Sequence, residues 1–260
     1  MKEQTAARSE RLRAAAEKAV ATQGPLDACV PGGPDGDTGP VRTQVVAVVA
    51  GEGNQRLFAN LGVTSFVEGG QTMNPSAEQL MQAVRQTTAP DIVILPNNKN
   101  IILAAEQIVG RVEGKHVQVV PTKSMLAGMS AMVVFDPCKS GGENIEEMLE
   151  VLQTVSTGEI TRAVRDSRID GLDIRQGHFI GLVDGKVLAT GPTLTGVAEE
   201  VALLLVREDS EVLTILVGDG DDNREAGEAA AAIATRYSGR LQVDIHEGGQ
   251  PLYPLLLSVE

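Results

Sequence analysis

Four short strand-like runs, mostly unbroken Val and Ile, recur along the first half of the chain, each followed by a segment of helical character. The runs are "QVVAVVA" (44–50), "TSFVEG" (64–69), "DIVILP" (91–96) and "HVQVVPT" (116–122). The segments after them are "NQRLFANLG", "SAEQLMQAVRQT", "NIILAAEQIVG" and "MLAGMSAMVVF". A strand apolar on both faces must be covered on both sides, and a repeated strand–helix alternation supplies those covers. The pattern predicts an α/β domain with a parallel sheet flanked by helices, closed by an amphipathic helix around residues 143–156. Aromatics are 2% of the chain and Trp is absent, so that core must be built from Val, Ile, Leu, Ala and Met.

The second half changes rhythm. "EITRAVR" (159–165) and "HFIGLVDGKVLAT" (178–190) read as antiparallel strands, the latter turning at Asp184-Gly185, a strong hairpin signal. Helix "TLTGVAEEVALLLVR", strand "EVLTILVG", helix "REAGEAAAAIATRYS" and strands "LQVDIHEG" and "PLLLSVE" follow. These predict a smaller, mixed-sheet α/β domain. The expected organisation is therefore a helical connector and Gly/Pro-rich linker over 1–40, a parallel α/β domain over 41–157 and a mixed-sheet domain over 158–260. Residues 3–22 favour helix, and residues 1–22 carry five Lys/Arg against three Asp/Glu.

The net charge of −13 repels phosphate backbones and anionic membranes, which weighs against nucleic acid as a partner. No apolar run is long enough to span a bilayer, and there is no signal-peptide core. Cys29 and Cys138 are isolated, without CxxC spacing or a nearby His. They read as two lone thiols, which points to the cytosol and away from a disulfide framework or a zinc site.

In open parallel sheets, ligands sit beyond the carboxyl ends of the strands. Four loops there are unusually polar: "GEGN" (51–54), "GGQTMNPS" (69–76), "PNNKN" (96–100) and "PTKSM" (121–125). Hydroxyls, amides, lysines and helix N-termini in one place suit an anion. Thr72, Asn74, Ser76, Asn97, Asn98, Lys99, Thr122 and Lys123 are the candidate ligands from these loops. Ser76 and Gln79 also fit a capping box, and Asn100 fits a helix cap. His246 stands at the end of a strand before a second "EGGQ" and could meet an anionic head group. Met125, Met129 and Met132 share a helix side, as core or as the wall of an acyl pocket. "GEG" fails as a dinucleotide fingerprint because Arg56 replaces the third glycine, and no Walker A sequence occurs. "DGDDNRE" fails as a calcium loop, with Arg224 at position six and Ala230 at position twelve. No catalytic or metal-binding constellation is assigned.

The motifs "VEGGQTMNPS", "ILPNNKNIILAA", "PTKSMLAGMSAMVVFDP", "AVRDSRIDGLDIRQGHFIGLVDGK" and "HEGGQPLY" occur in that order. Through them, roughly residues 41–260 resemble the C-terminal region of the bacterial fatty acid kinase catalytic protein, of the DAK/DhaL-domain family. That region is itself similar to DegV-type fatty-acid-binding proteins. The resemblance implies a DegV-like fold and a cytoplasmic role in fatty acid phosphorylation for phospholipid metabolism. The implied partners are a DegV-type carrier, a DhaL-type kinase domain and a fatty acid, and a homodimer is left open. ATP and magnesium are implied only for the kinase domain, whose sequence this chain does not contain, so no cofactor and no transferase activity are expected of it alone. By position, Thr72 and His246 match carrier residues that hold the fatty-acid carboxylate, and Arg165 is a further anion ligand. The carriers' Ser-Gly loop is replaced here by "PNNKN".

Overall fold

The computed structural model describes residues 40–69 and 74–260. The expected connector, most of the linker, Cys29 and Thr72 lie outside the described residues. The chain divides into two compact units.

The first comprises described residues 40–48, 56–69 and 74–152. Its strands are β1 (Thr43–Val49), β2 (Ser65–Glu68), β3 (Asp91–Leu95) and β4 (His116–Val119). Its helices are α1 (Glu52–Asn60), whose first turn through Gln55 belongs to the second unit, α2 (Ala77–Gln86), α3 (Lys99–Glu106), α4 (Met125–Val133) and α5 (Gly141–Leu152). The strand order is β2-β1-β3-β4, with β1–β3 and β3–β4 both parallel. In β3, Ile92, Val93, Ile94 and Leu95 are all fully buried, as a strand covered on both faces requires. Leu80 and Val84 of α2 and Ile101 of α3 pack with Val46, Val48, Ile92 and Ile94 in one core. The α3 helix stops at Glu106, four residues short of the expected end. Ile108 beyond it is still fully buried, because a turn can bury an isolated Ile as well as a helix can.

The second unit comprises residues 153–260 together with 49–55, which precede it by about a hundred positions. Its strands are β5 (Ser156–Arg162), β6 (Ser167–Ile169), β7 (Leu172–Ile174), β8 (Phe179–Val183), β9 (Lys186–Gly191), β10 (Val212–Val217), β11 (Gln242–Glu247) and β12 (Leu255–Val259). Helices α6 (Leu194–Leu205) and α7 (Asn223–Tyr237) complete it. Six strands form a mixed sheet in the order β11-β10-β12-β5-β8-β9, parallel only between β10 and β11. Val197, Val201 and Leu205 of α6 and Ile233 of α7 pack on Ile160, Ile215 and Leu257 of the sheet. Strand β5 begins at Ser156, where a helix tail was expected. The β-branched run Thr154, Val155, Thr157 favours an extended chain, and Ser156 pairs with Val259.

One element was not anticipated. β6 and β7 form a separate two-stranded hairpin turning at Asp170-Gly171, where φ is 52° and 87°. The expected turn at Asp184-Gly185 has matching values, 48° and 80°. Both are the left-handed pair that Asp-Gly accepts with little strain.

Cys138 corrects an expectation. It is disulfide-bonded, not a lone thiol. Spacing along a chain does not reveal which cysteines approach to the roughly 4.4–6.8 Å that a disulfide needs. No helix among the described residues is long and apolar enough to cross a membrane.

Candidate functional site

The order β2-β1-β3-β4 reverses direction between β1 and β3, so the crevice beyond their carboxyl ends is the switch point of the first sheet. Asn97 occupies that place. Its backbone has φ 54°, a left-handed conformation that Asn tolerates better than most side chains. The side-chain Nδ2 donates to the Val48 carbonyl of β1 at 3.0 Å. Asn97 N–H donates to Thr122 Oγ1 at 2.9 Å, and the Thr122 hydroxyl donates back to Asn97 Oδ1 at 2.8 Å. Both side chains are buried. A Cβ at Gly128 of α4 would lie 2.0 Å from Asn97 Oδ1, so that helix approaches only because the position is glycine. The loops after β3 and β4 are thus fastened to each other and to β1 by groups that turn inward.

The neighbouring polar residues divide between capping and exposure. Asn98 caps α3 by accepting from Asn100 N–H, so the cap is Asn98 and not Asn100. Ser124 caps α4 by accepting from Ala127 N–H, and Ser76 makes the full capping box with Gln79. Ser76→Ala is expected to destabilise the first unit by about 1 kcal/mol, read as a shift in the urea midpoint. Asn74, Lys99 and Lys123 are exposed. Of the three methionines, Met132 is buried, while Met125 and Met129 are half-buried.

In the second unit, His246 lies within β11 opposite Leu216 and is exposed, as is Arg165. The second "EGGQ" meets "GEGN". Asn54 N–H donates to Gly248 O at 2.9 Å, and Asn54 Nδ2 donates to Ala50 O at 2.9 Å and to Gln250 Oε1 at 3.1 Å. Gln250 Nε2 in turn donates to Leu216 O and Tyr253 O. Asn54 and Gln250 are both buried, so this polar knot is structural, and sequence reasoning missed it because neither segment shows which distant segment its amide meets. Burial, helped by the nearby Glu159 charge, pushes the Tyr253 phenol well above its ordinary value. A raised pKa means the fold holds the proton that the unfolded chain releases. The contribution is whole below the unfolded value of about 10 and is lost as pH rises beyond it. Stability should therefore decline on the alkaline side, and Tyr253→Phe should flatten that limb of a plot of urea midpoint against pH.

The family of FakA-like C-terminal domains, from fatty acid kinase A-like proteins, matches this chain over residues 44–260. The chain belongs to that family. Protein YloV of Bacillus subtilis is 39% identical over 228 residues, covering 87% of this chain and 41% of YloV. The chain thus spans about two fifths of the length of the curated relatives it matches. A DegV family protein from Corynebacterium glutamicum superposes with a TM-score of 0.62 at 15% identity, covering 84% of this chain and 96% of that one. The Streptococcus pneumoniae fatty acid kinase B3 protein, solved loaded with linoleic acid, gives 0.53 at 10% identity, covering 84% and 99%. The FakA-like C-terminal domain therefore has the DegV fold, with its parallel four-stranded sheet and mixed six-stranded sheet.

Proposed function

We propose that this domain serves a fatty acid kinase system by engaging the lipid-carrying protein, and does not itself transfer phosphate. The observation that carries the reading is the Asn97 bridge. Where an open α/β sheet ordinarily receives a ligand, this one places its own buried amide, satisfied by Val48 O and Thr122 Oγ1. A carboxylate arriving there would have to break those bonds and leave buried groups unpaired, at roughly 1–3 kcal/mol each. Family membership supports the link to the kinase. ATP and magnesium, in this reading, belong to a kinase domain beyond the two fifths that this chain represents. Calorimetric titration with a DegV-type carrier, empty and loaded with fatty acid, is the test. Binding is expected with at least one form, and no heat with either overturns the proposal.

A second reading is favoured by Lys99 and Lys123, two exposed cations on the loops after β3 and β4, in a fold that in the S. pneumoniae protein holds linoleic acid. The domain would then bind a fatty acid or another amphipathic anion itself, with Thr72 as a candidate ligand. Native mass spectrometry of gently purified protein separates the two. Retained acyl chains that diminish in Thr72→Ala favour this second reading, while lipid-free protein that binds carrier favours the first.

A further inference from the structure

The unanticipated hairpin lies in a stretch, residues 162–177, whose composition departs from the rest of its unit. It holds four arginines against three aspartates, while residues 153–161 and 178–260 hold five Lys/Arg against fifteen Asp/Glu. Arg162 is committed to the fold, with its guanidinium on Asp222 and on Gly177 O and stacked over the Phe179 ring. Two of the aspartates are turned to backbone, Asp166 accepting from Gln176 N–H and Asp170 from Val187 N–H. On the inner side, Ile174 packs with Ala163 and Val187, so the hairpin is held as a fixed element. What remains outward is mixed in character. Val164 is 84% exposed and Ile169 41% exposed, beside exposed Arg165, Arg168 and Arg175. Arg165 and Arg175 side chains have no partner among the described residues. Arg168 stands 3.6 Å from Asp173, both more than 70% exposed, a pair that contributes little.

Exposed aliphatic side chains interleaved with exposed arginines on a packed hairpin have the composition of a protein interface. We infer that the β6–β7 hairpin with its flanking residues 163–166 and 175–177 is the docking element for an acidic face of a protein partner, which under the proposed function is the lipid carrier; the inference rests on that reading. An anionic membrane fits less well, since a broad negative plane meeting this local basic patch would also meet the acidic surface of the same unit.

The test compares the full chain with a triple variant, Arg165→Glu, Arg168→Glu, Arg175→Glu, and with Val164→Asp. Each is first checked for an unchanged circular dichroism spectrum and thermal midpoint. Carrier affinity should fall roughly tenfold or more in the triple variant, with a slower association rate and a flatter salt dependence. Val164→Asp supplies a second variant of different chemistry and should also weaken binding. If wild type binds carrier and both variants bind equally well, the docking inference is overturned and the functional reading stands. If wild type itself does not bind carrier, the functional reading and the inference fall together. Hairpin-dependent binding to phosphatidylglycerol vesicles without carrier binding overturns the protein partner in favour of a membrane.

Discussion

Gly53→Ala is expected to destabilise the second unit by about 3 kcal/mol or more, although Gly53 lies in a helix where Ala is ordinarily preferred by about 1 kcal/mol. A Cβ there would lie 1.8 Å from the carbonyl oxygen of Glu247, and 2.8 Å from its carbon. The obstructing atoms are backbone, so no rotamer change relieves the clash. The first turn of α1, residues 52–55, would have to lift from the 247–250 turn, breaking the Asn54 N–H bond to Gly248 O. Urea denaturation followed by circular dichroism reads the cost directly. A midpoint equal to or above that of wild type would show that the two segments do not interlock as described.

Asn97→Ala should be the costliest change in the first unit, at about 2–4 kcal/mol. Two effects add. The left-handed backbone disfavours Ala by roughly 1–2 kcal/mol, and the bonds to Val48 O and Thr122 disappear from a buried place. Asn97→Gly separates them, because glycine adopts φ 54° freely and loses only the side-chain bonds. The expected order of urea midpoints is wild type, then Asn97→Gly, then Asn97→Ala. Thr122→Val removes the oxygen that accepts from Asn97 N–H, and its effect should be far from additive with Asn97→Gly, since the two residues form one bonded unit. Additive costs would mean that the reciprocal bonds are not formed.

The layered architecture was legible because burial on both faces leaves a direct trace in sequence: residues 92–95 of β3 are Ile-Val-Ile-Leu and every one of them is buried. Ser76 and its partner Gln79 were equally legible, since a capping box is local chemistry at fixed spacing. The candidate site was less so. Asn97, Asn98 and Thr122 were recognised as a polar cluster, but sequence cannot say whether an amide points toward solvent or across to a strand 49 positions earlier. The Asn54–Gln250 knot was missed for the same reason, and its only trace is the glycines on both sides that make room for it. The 167–174 hairpin did carry a signal, Asp170-Gly171, but its three-residue strands are too short to show alternation. The disulfide at Cys138 left none.

The contact between Asn54 and Gln250 spans 196 positions, and β12 inserts between β10 and β5 in the middle of the larger sheet. During synthesis, β5, β8 and β9 can pair as soon as they emerge, being adjacent in the sheet and interrupted in sequence only by the short β6–β7 hairpin. The sheet cannot close around them until residue 259 is available, and residues 49–55 wait longest of all. This high contact order predicts a slow closing step for the second unit. It also means that fragments starting near residue 153 lack a piece of their own packing, so dissecting the protein by cutting between its units would remove the segment that Gln250 was built to meet.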